Sequence, residues 1–258
     1  MPEDSQGGAS IPTNLRLLLL LEEVAKAGEP VTPAEANAAL GLPKPTIHRL
    51  LQTLEAEGFV ERHLDGRSFG PGRRLWRLSA NVLSSSNLRT ARMAILRRLA
   101  DEVGETCNIA APGAEGMVYL DRVETKWPLR IQLPIGSTVP FHCTASGKMR
   151  LAALSATQLD RILSAGPLER RTESTIVDPA ALRRELRAVR KAGYATDAEE
   201  FMEGMAAIAA PIRDAAGRFV ATVSIHAPVQ RQPVEKLKAC LPVLSAAAEK
   251  LSALLAGR

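Results

Sequence analysis

The sequence predicts an α+β protein in two parts, an N-terminal winged helix-turn-helix and a larger domain built on a mainly antiparallel sheet. Residues 32–69 support the first part, because two capped helices are followed there by a hairpin turn. Beyond residue 87, strand-like alternating runs are flanked by runs with helical spacing, which favours an α+β domain. At 258 residues the chain is long enough for two domains.

The first helix is predicted over residues 13–27. Its apolar run at 17–21 is too short for a membrane span and is closed by two glutamates, so it indicates the packed core of a small domain. A short second helix should follow Thr32, because Thr32-Pro33-Ala34-Glu35 has the order of a capping box. Gly41 can adopt the left-handed conformation that ends such a helix.

A third helix is predicted to begin near Pro45, where the fixed φ and missing N–H of proline suit a first turn. Its apolar side chains have the i, i+3, i+4, i+7 spacing of one buried stripe: Ile47, Leu50, Leu51 and Leu54. The opposite side carries Arg49 and Gln52. These side chains have the donors and acceptors that bind base edges.

A β-hairpin is predicted after Gly58, because Asp65-Gly66 lies between the short segments 59–63 and 67–69. Capped helices and Asp-Gly turns are common, so an ordinary helical hairpin packed on a two-stranded ribbon is the alternative. The complete order of helix, capped helix, polar-faced helix and hairpin is much rarer, and it favours double-stranded DNA as the partner. A module that binds only other proteins is disfavoured by Arg49 and Gln52 on the outer face.

Net charge alone does not establish DNA binding. The chain has a formal net charge of +5 and a pI of 9.4, yet residues 1–85 hold nine Lys and Arg against ten Asp and Glu. The argument rests on where the polar and basic residues lie, around the third helix, the wing and the segment after it. The predicted DNA-binding residues are Lys44, Pro45, Thr46, His48, Arg49, Gln52, Thr53, Arg67 and Arg74.

The cysteines and the N-terminal residues indicate the cellular compartment in which the protein is expected. Cys107, Cys143 and Cys240 are odd in number, widely spaced and in no CxxC arrangement, so neither a disulfide framework nor a zinc site is expected. Residues 1–10 are acidic and glycine-rich, which predicts a disordered tail and not a signal peptide. We therefore expect a cytoplasmic protein with no membrane partner.

An enzyme is the second hypothesis, and the sequence gives it little support. The four histidines show no metal-ligand spacing, and nucleotide-binding glycine motifs are absent. Adjacent His142 and Cys143 would point to opposite faces of an extended segment and could not easily share a proton. No catalytic residue, metal or cofactor is predicted.

A change in sequence composition marks the boundary before the second domain. Arginine alternates with apolar residues after Pro71 and the pattern breaks at a serine run, which predicts a linker helix. The predicted organisation is a tail at 1–10, a winged helix-turn-helix at 11–71, a linker helix at 72–86 and a second domain at 87–258. Strands are predicted at 106–111, 117–123, 129–133, 208–213 and 219–226, and helices at 88–103, 146–154, 156–163, 179–192 and 233–255, the last kinked at Pro242.

Three segments of the second domain resemble motifs of the IclR family of bacterial transcriptional regulators: PFHCTASGK at 140–148, GYATDAEE at 193–200 and IAAPIRD at 208–214. The resemblance covers about residues 11–255. It implies a winged-helix domain, a linker helix and a GAF-like ligand-binding domain, with operator DNA bound by dimers or dimers of dimers. It also implies a regulator, often a repressor, that responds to a small organic or aromatic acid of carbon catabolism.

The resemblance implies an effector pocket formed by Ile131, Val139, Ala145, Ser146, Asp197, Ala207, Ser224 and His226. Free N–H groups where a loop enters a helix near Ser146 would suit a carboxylate. Ser224 and His226 share a strand face through their i, i+2 spacing. Ala207 stands where some family members have Cys, and His226 where some have Ser. The ligand of this protein should therefore differ from theirs. The open alternative is that His226 and Ser224 are packed core residues.

Overall fold

The computed structural model describes residues 11–63, 65–83, 86–113, 115–128 and 133–256. The chain divides into two compact units, Met1–Ser85 and Ser86–Arg258. The predicted tail at 1–10, Ile131 and all of the predicted strand at 129–133 except Leu133 lie outside the described residues.

The first unit contains four helices and a hairpin in its described part: α1 Arg16–Ala27, α2 Pro33–Asn37, α3 Lys44–Ala56, β1 Val60–Arg62, β2 Phe69–Pro71 and α4 Arg73–Leu83. The capping box at α2 is confirmed. The Thr32 N–H donates to Glu35 Oε2 at 2.7 Å, and the Glu35 N–H donates to Thr32 Oγ1 at 3.4 Å. Gly41, after α2, has a φ of 60°, in the left-handed region that favours glycine.

The wing is an antiparallel hairpin in which Val60 pairs with Pro71 and Arg62 with Phe69. Its second strand begins at Phe69, so the prediction of strand structure at 67–69 is wrong for the first two residues. The backbone N–H groups of Arg67 and Ser68 donate instead to Asp65 Oδ1, at 2.8 and 2.9 Å. The aspartate side chain therefore holds these residues in the turn.

One small core holds the first unit together. Ile47, Leu51 and Leu54 of α3 are buried as the apolar spacing predicts, and Leu50 is half-buried. They pack with α1 residues such as Leu20 and with Val60 and Phe69 of the wing. Burial of one face fixes the rotation of α3 about its axis and leaves the opposite face to solvent.

The second unit is built on a six-stranded antiparallel sheet in the order β5-β4-β3-β8-β7-β6. Its strands are β3 Thr106–Pro112, β4 Met117–Val123, β5 Thr138–Val139, β6 Ala195–Ala198, β7 Met205–Arg213 and β8 Phe219–Pro228. The prediction of a mainly antiparallel sheet is confirmed. The two edge strands β5 and β6 were not predicted, because they are short and lack an alternating apolar pattern.

Six helices of the described chain accompany this sheet: α5 Ser86–Val103, α6 Ala145–Ala152, α7 Ala156–Ser164, α8 Pro179–Ala192, α9 Val234–Lys238 and α10 Leu241–Leu255. The prediction of one kinked C-terminal helix is wrong. A turn at Ala239 and Cys240 interrupts the α-helix between α9 and α10, and Pro242 lies in the first turn of α10. Proline has no N–H to continue a helix but fits a first turn, so the break precedes it.

Helices cover both faces of the sheet. Apolar residues such as Ile109, Ile208 and Ile225 pack with residues of α5 and α10 on one face. Ala207 and Ala209 pack with residues of α6 and α8 on the other, which we call the α6 face. In the described part of the chain, no helix is long and apolar enough to cross a membrane.

Candidate DNA-reading surface and ligand pocket

The outer face of α3 carries most of the predicted DNA-binding residues. Arg49 and Gln52 are exposed, and among the described residues their side chains have no hydrogen-bond partner. The Thr53 hydroxyl donates to the Arg49 carbonyl at 3.0 Å and is thus satisfied within the helix. Exposed Lys44, Pro45 and His48 and half-buried Thr46 complete the set on this helix.

The two predicted DNA-binding arginines outside α3, Arg67 in the wing and Arg74 in α4, differ in how they are held. Arg74 donates to Glu57 at 2.6 Å and lies over the Phe59 ring at 4.6 Å, so a phosphate would compete with Glu57 for it. Arg67 is exposed, and the structure describes no partner for its guanidinium. Of these two predicted DNA-binding arginines, Arg67 is therefore the more available to contact a phosphate.

Arg62 has a structural role that the sequence did not reveal. Its guanidinium donates twice to Glu55 of α3, at 3.0 and 2.8 Å, and lies over the Phe69 ring at 4.5 Å. These contacts tie the wing to the end of α3. The sequence pattern could not reveal the ion pair between Arg62 and Glu55, because it forms only when the hairpin folds back on α3.

In the second unit, the start of α6 is rigidly defined. Thr144 caps the helix by accepting from the Gly147 N–H at 3.0 Å, and its hydroxyl donates to the Pro140 carbonyl at 2.7 Å. A Cβ at Gly147 would lie 2.3 Å from the Phe141 carbonyl oxygen, so only glycine fits there. Ser146 is buried in this first turn, and its Oγ has no partner among the described residues.

A row of predicted pocket residues crosses the sheet beneath α6. Asp197 of β6 pairs with Ala207 of β7, which pairs with His226 of β8. Ser224 Oγ and His226 Nε2 are 3.0 Å apart, as expected for residues that share a face. Burial, and secondarily the charge of Arg122, lowers the pKa of His226 to about 3, so the ring is neutral at neutral pH.

The remaining described pocket residues are apolar and buried. Ala145 packs in one cluster with Ala207 on the α6 face. Val139 of β5 packs with Tyr119 of β4 in a second cluster. The Tyr119 ring presents an edge-to-face contact to His226, with centroids 6.2 Å apart. The described members of the predicted pocket thus lie on the α6 face of the sheet or on the elements that cover it.

Asp197 is connected to a buried ionic cluster. Its Oδ1 accepts the backbone N–H of Glu200 at 2.8 Å, and burial together with the charge of Glu200 raises the pKa of Asp197 to about 7. Lys148, buried in α6, donates to Glu200 at 2.5 Å and to Glu185 of α8 at 2.9 Å. We call Lys148, Glu185 and Glu200 the lysine clamp. Sequence reasoning assigned no role to these three residues.

Asn108 and Arg122 also lie on the α6 face and were not predicted. Asn108 of β3 pairs in register with Ser224 of β8 on one side and with Arg122 of β4 on the other. Arg122 Nη1 donates to Asn108 Oδ1 at 2.9 Å, and Arg122 Nε donates to Glu124 at 3.1 Å. Asn108 is fully buried, and its Nδ2 has no partner among the described residues.

Cys143, considered as a nucleophile, is not activated by its surroundings. It is buried, and burial raises the pKa of its thiol to about 12. Neighbouring His142 directs Nε2 to the Glu169 carbonyl at 2.8 Å. A thiol in this state is protonated and a poor nucleophile.

Comparison with known proteins gives two family matches that together span most of the chain. Residues 15–64 match the IclR helix-turn-helix domain, and residues 80–253 match the bacterial transcriptional regulator IclR C-terminal family. The chain is 38% identical over 237 residues to the probable transcriptional regulator SauR of Cupriavidus necator, covering 92% of this chain and 94% of the relative. It is 34% identical over 218 residues to the transcriptional repressor IclR of Escherichia coli, covering 84% of this chain and 80% of that relative.

Solved structures agree with these matches. The IclR of Thermotoga maritima superposes with a TM-score of 0.63 at 30% identity, covering 95% of this chain and 98% of that one. An IclR homolog from Microbacterium hydrocarbonoxydans, complexed with 4-hydroxybenzoate, superposes with a TM-score of 0.62 at 27% identity, covering 95% and 99%.

Proposed function

This chain belongs to the IclR family of transcriptional regulators, and on that premise we propose that a small organic acid, bound on the α6 face, controls its binding to operator DNA. As a family member it is a DNA-binding regulator and not an enzyme. Relatives named as repressors favour repression as its mode of action. We place it in the bacterial cytoplasm, where its DNA target lies.

For the DNA-binding half, we propose that α3 lies in the major groove. Arg49 and Gln52 would contact base edges, and Arg67 of the wing would contact a phosphate. One such helix covers only a few base pairs, so we propose that the protein forms dimers or dimers of dimers, paired through the helix predicted at 13–27 and the linker segment at 71–84. Light scattering at micromolar concentration checks this, and a monomer with unimpaired specific binding would contradict it.

For the effector domain at 87–258, one observation carries the proposal: the buried first turn of α6 lies over a sheet face that carries Ser224 and the neutral ring of His226, and the Ser146 hydroxyl has no partner among the described residues. Backbone N–H groups and the helix dipole at this turn favour a carboxylate. Asp197, Ser224 and His226 would hold the other end of the ligand. The relative complexed with 4-hydroxybenzoate supports an acid of this size.

A protonated Asp197 also suits an acid ligand. Its raised pKa, about 7, leaves it partly uncharged near neutral pH, which reduces repulsion of a carboxylate in the same pocket. Val139, Ala145 and Ala207 provide apolar walls.

The test uses DNA upstream of the chain's own gene in a gel shift, with 4-hydroxybenzoate and a panel of other small acids as probes. His226→Ala should raise the acid concentration that changes DNA binding by about tenfold, the loss of one hydrogen bond. DNA affinity without ligand should stay unchanged, since the residue lies in the other unit. If His226 is only a core residue, the variant melts at lower temperature and keeps its acid response, which would overturn the pocket assignment.

A further inference from the structure

Asn108 is an unusual residue for the middle of a buried strand. Its side chain is fully buried between Arg122 and Ser224, yet only half of its amide is used. The Oδ1 atom accepts from Arg122 at 2.9 Å, while Nδ2 has no partner in the described chain. A buried donor without a partner is costly, and proteins seldom keep one that has no ligand or water to bind.

The orientation of this amide is fixed. Arg122 carries only donors, so the atom of Asn108 that faces it must be the oxygen. Arg122 is itself held by Glu124 at 3.1 Å. Nδ2 is therefore directed away from the arginine, and a rotation of the amide would place two donors against each other. The pair of Asn108 and Arg122 acts as a preset hydrogen-bond donor on the sheet.

This donor belongs to the same face as the proposed pocket. Asn108 pairs with Ser224, which pairs with Ala209, and Ala209 packs in one cluster with Ala145 of α6. Counting partners among the described residues alone, buried donors without a partner thus occur on the sheet at Asn108 and on the helix above it at Ser146. A ligand that satisfies both must present an oxygen at each end.

We infer that Asn108, oriented by Arg122, is a specificity-determining residue that selects acids carrying a second hydrogen-bond-accepting oxygen, such as a hydroxyl or carbonyl, over the same acids without it. This inference rests on the proposed function, since it takes the carboxylate to lie at α6. Sites that bind a polar group discriminate strongly against analogues lacking it, because the analogue leaves a buried donor unpaired.

The experiment measures binding of matched acid pairs to the full-length protein by calorimetry: benzoate against 4-hydroxybenzoate, and butyrate against 4-hydroxybutyrate. In the wild type, the oxygenated member of at least one pair should bind at least tenfold more tightly than its partner acid, which gives an affinity ratio of ten or more. Asn108→Leu should reduce that ratio to within about threefold, while the simple acid keeps its affinity, since no donor is then left unpaired.

Two further variants separate ligand recognition from structure. Asn108→Asp keeps an acceptor for Arg122 and removes the donor, so it should melt no lower than the wild type and still lose the preference. Thr222→Val removes an equally buried hydroxyl that is already bonded to the Ala110 carbonyl at 3.3 Å, and it should leave the ratio unchanged.

The outcomes distinguish the two proposals. If acids bind and Ser146→Val abolishes their binding, but Asn108→Leu and Asn108→Asp keep the wild-type ratio, the inference is wrong and the proposed function stands. If no acid of either pair or of the wider panel binds, the proposed function fails and the inference fails with it.

Discussion

Replacing Lys148 by methionine tests whether the lysine clamp holds the effector domain together. The ammonium is 1% exposed and bonds to Glu200 at 2.5 Å and Glu185 at 2.9 Å. Methionine fills similar space without charge, so Glu200 is left buried, and its Oε2 already lacks a partner among the described residues. Removing one member of a buried ion pair costs about 3–5 kcal/mol. For a domain of this size, that corresponds to a fall in Tm of roughly 6–20 °C.

The assay follows denaturant unfolding by the fluorescence of Trp127, in a background where Trp76→Phe removes the tryptophan of the other unit. Lys238→Met is the matched control, because Lys238 pairs with Glu235 on the surface, with side chains 35% and 76% exposed. Such a pair contributes about 1 kcal/mol or less. The double variant Lys148→Met with Glu200→Gln should recover about 1 kcal/mol or more, since it removes the orphaned charge.

Equal effects of Lys148→Met and Lys238→Met would refute this reasoning, because the buried lysine would then behave as a surface residue. Failure of Glu200→Gln to rescue would show that lost packing, and not an uncompensated carboxylate, accounts for the destabilisation.

Three other predictions concern DNA contacts and pH. Arg49→Ala should cost about 1–3 kcal/mol of discrimination at one base position of each half-site; equal weakening on all sequences in a competition assay would assign Arg49 to phosphate. Arg67→Ala should lower the slope of log affinity against log salt by about one unit with little change in sequence preference. Arg74→Ala should in addition lower the Tm, because it also removes the ion pair between Arg74 and Glu57. The pKa of Asp197 is raised to about 7, so between about pH 4 and pH 7 the folded state keeps a proton that the unfolded chain has lost. The free energy of unfolding of the wild type, relative to that of Asp197→Asn, should therefore fall as pH rises from about 4 to about 7. The slope should be at most about 1.4 kcal/mol per pH unit, and a difference that stays flat across this range in urea titrations would contradict it.

Local chemistry explains which elements could be predicted. The capping box at Thr32 depends on residues within one turn, so its order in the sequence was sufficient. The wing strand was misplaced because the Asp65 side chain captures the next backbone N–H groups, a competition that alternation does not reveal. Edge strand β6 is determined by its pairing with β7, and its own composition does not favour a strand.

The arrangement of residues in the candidate site could be predicted only where spacing or family motifs carried the information. Ser224 and His226 lie two apart on one strand, so their shared face followed from the pleat. The bond between Lys148 and Glu200 joins residues 52 apart, and Asn108 meets Ser224 only because β3 pairs with β8. Contacts of this kind are set by topology, and no local pattern in one sequence encodes them.

The lysine clamp also bears on how the pocket binds. Ser146 and Lys148 are two residues apart on α6, so they project from nearly opposite sides of the helix. One side is thus free to meet a ligand while the other is fixed by two carboxylates. Gly147, packed against the Phe141 backbone, fixes the same turn from a third direction. The turn that we propose binds the carboxylate is therefore in place before a ligand arrives, and little ordering entropy has to be lost on binding. Stability of the fold and affinity for the effector then depend on the same helix, because any change that releases the clamp also loosens the turn that would bind the acid.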